Sequence, residues 1–112
     1  MRLIVLIISI FSYSFSQTYI SGEYWNNATF FKQGNPYIMS GHVIIISGTT
    51  LTIEPGVEIF IDGNYLLKVD GYLYAEGTVE DSIVFTSNSD VPNSTDWGGI
   101  KFENGNGSMI YC

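Results

Sequence analysis

Short runs in which apolar and polar residues alternate recur along most of this chain, and they repeat at a nearly constant distance. Alternation with a period of two residues predicts β-strands that bury one face. Three successive apolar pairs map onto the next three at shifts of 24, 22 and 26 residues: Val43/Ile45 onto Leu67/Val69, Leu51/Ile53 onto Leu73/Ala75, and Val57/Ile59 onto Ile83/Phe85. Units of this size, each with three short strands, are typical of a solenoid, in which every unit stacks on its neighbour.

The composition also favours an all-β fold. Two alanines stand against fifteen isoleucines, seven valines and eight threonines, so residues that fill pleated surfaces greatly outnumber the best helix former. An antiparallel β-sandwich is the competing arrangement. It predicts hairpin pairing of residues 51–53 with 57–61, whereas a parallel solenoid predicts that 51–53 stack on 73–75.

The charge balance excludes two classes of protein. The chain has 4 Lys+Arg and 11 Asp+Glu, for a formal net charge of −7, and 46% of its residues are hydrophobic. Nucleic-acid binding requires cations that neutralise phosphates, so we expect no nucleic-acid partner. A disordered acidic tail lacks the apolar residues that this chain has in abundance.

The first sixteen residues have the pattern of an export signal. Arg2 is followed by an apolar run over 3–11 and by small residues at 14 and 16, which predicts cleavage before Gln17. A membrane anchor is the alternative, but the run is much shorter than the roughly 20 residues that span a bilayer. We therefore expect a secreted or cell-surface protein with no membrane span after cleavage.

The cysteine content predicts a chain without internal disulfides. Cys112 is the single cysteine and the last residue, and the sequence stops within the apolar stretch 109–112. Stability must then come from buried apolar area or from a continuing chain, since a secreted domain of this size is marginal without disulfides. We expect a fragment of a longer protein, with Cys112 as a small core residue of the third coil.

Four segments in this order resemble a known family: GTTLTIEPGV at 48–57, GYLYAEGT at 71–78, IVFTS at 83–87 and DWGGIKF at 96–102. They are similar to the N-terminal coils of secreted right-handed parallel β-helix proteins of the pectate-lyase-like superfamily. The resemblance implies three parallel sheets around a filled apolar core. It places about three coils in residues 38–112, truncated at the C-terminus.

Residues 17–37 precede the repeats and are expected to form an N-terminal cap. A parallel solenoid exposes apolar core and unpaired strand edges at its first coil unless another segment covers them. Aromatic residues lie between polar ones in this stretch. We expect Trp25, Phe30 and Phe31 to lie across the open end.

Three tyrosines are candidate carbohydrate-binding residues. If Leu67 and Leu73 point inward, then Tyr65, Tyr72 and Tyr74 occupy positions that point outward. An exposed aromatic ring can stack on the apolar face of a sugar while its hydroxyl stays hydrated. Outward tyrosines are also favourable on strands without any ligand, and this interpretation stays open.

The sequence indicates no catalytic residue, metal site or cofactor. Oxygen atoms of Asp90, Asn93 and Asp96 could bind calcium, but their spacing matches no calcium loop with a defined ligand order, which favours a solvated loop. His42 has no second histidine or cysteine with which to share a metal. Glu54 lies in a Pro-Gly turn with no second carboxylate placed beside it by a recognisable motif.

Two functions follow from the resemblance. The first is a non-catalytic N-terminal part of an exported β-helix protein, with a structural or binding role and with polysaccharide or surface proteins as partners. The alternative is the N-terminal part of a polysaccharide lyase or glycoside hydrolase whose active site lies in downstream coils. Such enzymes use aspartate clusters, or calcium-binding aspartates with basic residues, whereas only Lys32, Lys68 and Lys101 are basic after residue 16.

Overall fold

The computed structural model describes residues 17–89 and 98–112, and within these ranges the chain is all-β. The described residues form ten strands, one 3-10 turn at Lys32–Gly34 and no α-helix. The expected all-β class is therefore confirmed. The strands are β1 Thr18–Tyr24, β2 Ala28–Phe30, β3 Tyr37–Ile45, β4 Thr50–Ile53, β5 Glu58–Ile61, β6 Leu66–Val69, β7 Tyr72–Glu76, β8 Val84–Ser87, β9 Gly99–Phe102 and β10 Asn106–Ile110. The described part contains no helix long and apolar enough to cross a membrane.

The strands form two sheets in which every pairing is parallel. One sheet has the order β8-β5-β3-β6-β9, with β1 also on β3, and the other has the order β10-β7-β4-β2. The long strand β3 pairs with β5 through its first half and with β6 through its second half. The resemblance implied three sheets. Two of them are joined into one here, because the long strand β3, with β1 beside it, continues from the stack that contains β5 and β8 into the stack that contains β6 and β9.

The register reproduces the shifts seen in the sequence. Val43 lies beside Leu67, Leu51 beside Leu73, and Ile59 beside Phe85. If one strand slipped by one residue relative to its neighbour, its apolar side chains would point outward. The burial of these side chains therefore fixes the register. Strand β4 pairs with β2 and β7, and β5 pairs with β3 and β8. The hairpin pairing that a sandwich requires is therefore not formed.

The segment 17–37 contributes strands to both sheets, because β1 pairs with β3 and β2 pairs with β4. Of its three aromatic residues assigned to the cap, only Phe30 enters the core, with 6% exposure. Trp25 and Phe31 are 65% and 50% exposed and do not cover the core. Phe31 follows Phe30 directly, so its side chain leaves the inward face, and Trp25 lies in the connection between the two strands.

The inward side chains fill the space between the sheets. The core contains sixteen buried residues, among which Val43, Ile45, Val69, Leu73 and Ala75 have no exposed surface. A cavity among the apolar side chains of the described core has a volume of about 10 Å³, room for one water molecule at most. The interior of the described part is therefore a packed core.

Two glycines make the turns between strands possible. Gly56 has a φ of +83° at the Glu54-Pro55-Gly56 corner between β4 and β5, a conformation that side chains with a Cβ rarely adopt. Gly71 lies between β6 and β7, where an added Cβ would overlap the carbonyl oxygens of Ile46 and Thr49. Both glycines therefore lie at corners where the chain passes from one strand to the next.

Candidate carbohydrate-binding face

Strand β7 presents two tyrosines on its outer face. Its alternate residues Leu73 and Ala75 have no exposed surface, whereas Tyr72 and Tyr74 are 36% and 40% exposed. The two rings are stacked, with centroids 6.3 Å apart and an angle of 24° between their planes. The outward orientation expected for these residues is therefore present, and their binding of sugar stays a prediction.

The neighbours of these rings are short polar side chains. Thr50 and Asn106 flank Tyr72 on the adjacent strands β4 and β10, and Thr52 and Ser108 flank Tyr74 in the same way. Because these neighbours are shorter than tyrosine, the two rings stand above a surface of hydroxyl and amide groups. We call this surface the tyrosine platform, defined by Tyr72, Tyr74, Thr50, Thr52, Asn106 and Ser108.

A carboxylate lies at one end of the platform. Ser108 Oγ donates a hydrogen bond of 2.6 Å to Glu76 Oε2, across a sequence separation of 32 residues. A hydrogen bond and the negative charge of Glu76 together raise the pKa of the Tyr74 phenol above its ordinary value. The phenol therefore stays protonated at neutral pH, with its O–H donating to the Glu76 carboxylate.

The lysines lie away from the platform. Lys68 and Lys101 are neighbours in the other sheet, where Lys68 Nζ lies 3.4 Å from Asp70 and Lys101 Nζ lies 3.6 Å from Glu103. Lys32, in the 3-10 turn, pairs with Asp81 at 3.0 Å. No lysine is therefore on the platform strands, and Glu76 is the charged side chain next to the rings.

Tyr65 is not brought together with the other two tyrosines. It lies in the turn before β6, in the other sheet, half-buried against the core. Its ring contacts His42 edge to face, with centroids 5.5 Å apart. His42 Nδ1 accepts a hydrogen bond of 3.0 Å from the Leu66 N–H, so the imidazole is held by the strand beside it. The outward orientation expected for Tyr65 was wrong, because Tyr65 lies two residues before Leu67 and alternation places both on the inward side.

The position of Cys112 corrects the sequence-based expectation. Its side chain is exposed rather than part of the core, because β10 ends at Ile110 and the inward alternation does not extend to it. Sγ lies 3.3 Å from the Ala75 carbonyl oxygen. Partial burial raises the pKa of the thiol, which favours the protonated form over a reactive thiolate.

The described residues offer no metal-binding cluster of three or more His, Cys, Asp or Glu side chains. The candidate calcium ligands Asp90, Asn93 and Asp96 lie outside the described ranges. An open cleft of about 230 Å³ adjoins β5 and β8, and the described residues that line it include Asp62, whose carboxylate accepts a 3.4 Å hydrogen bond from Asn88 Nδ2.

Comparison with known proteins places this arrangement in a family. A curated protein, Protein bark beetle of Drosophila melanogaster, is 35% identical to this chain over 72 residues. That match covers 64% of this chain but only 2% of the length of the fly protein. No solved structure is significantly similar to the chain. The family model of the pectate-lyase-like beta helix domain matches residues 22–108, and the chain belongs to this family.

Proposed function

We propose that this chain is a non-catalytic part of an exported right-handed β-helix protein that contacts glycans through the tyrosine platform. The observation that carries the proposal is the stacked and exposed pair Tyr72 and Tyr74 on the outer face of β7. The following paragraphs give the support for the solenoid, for sugar contact and for export.

The solenoid is supported by the way in which successive units extend the sheets. Each unit of about 22 to 26 residues adds its strands in parallel register to the same ladders, as β4 and β7 do in one sheet. The apolar residues of all units meet in one core. This is the arrangement that stacked coils require, in which no coil buries its apolar face alone.

Sugar contact is supported by the chemistry of the platform. Aromatic rings with exposed faces pair with the apolar faces of pyranose rings, and hydroxyl and amide groups beside them can bind sugar hydroxyls. Tyr72 and Tyr74 provide the rings, and Thr50, Thr52 and Asn106 provide the polar groups on adjacent strands. The core cavity is too small for a sugar, which supports contact on an outer face.

The test is a glycan array probed with the wild-type chain and with the double variant Tyr72→Ser and Tyr74→Ser. We expect binding of one or more polysaccharides that the double variant loses. Tyr19→Ser is the matched control, because Tyr19 is 65% exposed but lies on β1 in the other sheet. Binding that survives in the double variant, or no binding by the wild type, would contradict the proposal.

A second candidate function is favoured by the family itself: the chain belongs to a polysaccharide lyase or glycoside hydrolase whose active site lies in downstream coils. Assays of the full-length protein for cleavage of polysaccharides distinguish the two. Binding without cleavage supports the non-catalytic role, and cleavage supports the enzyme.

Export is tested on the secreted product. A mature N-terminus at Gln17 is the expected result, since cleavage there removes the apolar run over 3–11. Retention of the intact chain inside the cell would contradict it.

A further inference from the structure

The outer face of β7 places the two rings and a carboxylate in one row. Tyr72, Tyr74 and Glu76 alternate with the buried residues of the strand, so their side chains leave on the same side. Successive side chains of such a row are about 7 Å apart. A sugar stacked on Tyr74 would therefore have the Glu76 carboxylate as a near neighbour.

The Glu76 carboxylate has room for sugar hydroxyls. One of its oxygens, Oε2, accepts the hydrogen bond from Ser108 Oγ. An ionised carboxylate has about four acceptor sites, so the bonds from Ser108 and from the Tyr74 phenol leave capacity for sugar hydroxyl donors. A neutral sugar presents hydroxyl donors all around its ring, whereas a uronic acid also presents a negative charge.

The described platform strands carry no positive side chain that could compensate the negative charge of a uronic acid bound beside Glu76. The strands β2, β4, β7 and β10 contain no lysine or arginine. Lys68 and Lys101 belong to the other sheet and already contact Asp70 and Glu103. The chain after residue 16 carries 3 lysines against 11 acids, which adds a general repulsion of anions.

We infer that the tyrosine platform selects neutral polysaccharides over polyuronates, with Glu76 as the residue that sets this preference. The inference rests on the proposed glycan contact and specifies its ligand class. Like charges at this separation on a hydrated surface are expected to weaken binding by on the order of tenfold. The affinity difference between neutral and acidic sugars should decrease as salt is added, because dissolved ions screen the repulsion between charges over about 10 Å at 0.1 M ionic strength.

The probes are two hexasaccharides that differ only in the C6 group of each sugar: a galacturonic acid hexamer and the galactose hexamer obtained by reducing its carboxylates to hydroxymethyl groups. Affinities are measured by calorimetry at low salt for the wild type, for Glu76→Gln and for Glu58→Gln. Glu58 is exposed on β5 in the other sheet and provides the control for loss of one negative charge. Circular dichroism verifies that each variant is folded.

We expect the neutral hexamer to bind the wild type about tenfold more tightly than the acidic one. Glu76→Gln should reduce this difference, and Glu58→Gln should leave it unchanged. Equal or tighter binding of the acidic hexamer by the wild type would overturn the inference while leaving glycan contact intact. If Glu76→Gln and Glu58→Gln reduced the affinity difference between the two hexamers equally, the role of Glu76 would be overturned. Failure of the wild type to bind either hexamer or any neutral glycan of the array would overturn both the inference and the proposed function.

Discussion

Gly71 shows how closely a single residue is constrained by the stacking of units. It connects β6 to β7, and its N–H donates a 2.9 Å hydrogen bond to the Ile45 carbonyl oxygen of the preceding unit. The space where a Cβ would stand is occupied by backbone oxygens of Ile46 and Thr49. Backbone atoms cannot rotate away as a flexible side chain can, so the turn requires glycine.

We predict that Gly71→Ala lowers the free energy of unfolding by about 3 kcal/mol, because the added methyl group forces the two units apart. The measurement is urea denaturation followed by circular dichroism. Gly48→Ala is the comparison, since Gly48 has a φ of +85° but open space around it and should cost only about 1 to 2 kcal/mol. An equal or smaller loss for Gly71→Ala would show that the close approach does not constrain the turn.

Among elements, β4 and β7 show most clearly what the sequence can predict. Their register follows from the apolar residues alone, because Leu51 and Leu73 must both face the core and a slip of one residue would expose them. The same spacing placed Tyr72 and Tyr74 outward. Periodicity within a strand thus carries information on both faces of the sheet.

Other features of the site could not be read in this way. Ser108 reaches Glu76 from β10, and the polar segment after β8 lengthens the spacing between β7 and β10, so no fixed repeat links the two residues. The pairing of β1 includes an irregularity between Ile20 and Gly22, which interrupts the alternation that would have identified the segment as strands. Contacts that depend on irregular connections could therefore be identified only from the structure.

We predict that Leu73→Ala lowers the free energy of unfolding by about 2 to 5 kcal/mol, because Leu73 has no exposed surface and its removal leaves a cavity in the shared core. Thr52→Ala, on the outer face of the adjacent strand β4, should change the stability by no more than about 0.5 kcal/mol. Chemical denaturation of both variants gives the comparison. Similar losses for the two variants would contradict the assignment of inner and outer faces.

On the scale of the whole molecule, the described part has one end face that is apolar and uncovered. Phe102 and Met109 take the inward positions next to Val69 and Ala75, yet they are 40% and 39% exposed. The strands β8, β9 and β10 also have one unpaired edge each within the described residues. Apolar surface beside open strand edges favours association with further strands.

We predict that the isolated chain self-associates through this end face as its concentration rises, and that Phe102→Lys combined with Met109→Lys restores a monomer. Sedimentation velocity over a range of concentrations measures the effect. Tyr19→Ser, which removes an exposed aromatic from β1, should leave self-association unchanged. A wild-type chain that stays monomeric at all concentrations would contradict the prediction.

The central claim is that successive units stack in parallel with the register that the apolar repeat dictates. Cys112 is the single cysteine, so a Cys112→Ser background allows pairs of new cysteines to report on distance. Thr52 lies beside Tyr74 in the parallel register, whereas the hairpin of a sandwich would place Thr52 beside Glu58. Neighbouring strands are about 4.8 Å apart, within the range that a disulfide can bridge. Oxidation followed by peptide mass mapping should cross-link Thr52→Cys with Tyr74→Cys and not with Glu58→Cys, and the opposite result would contradict the account.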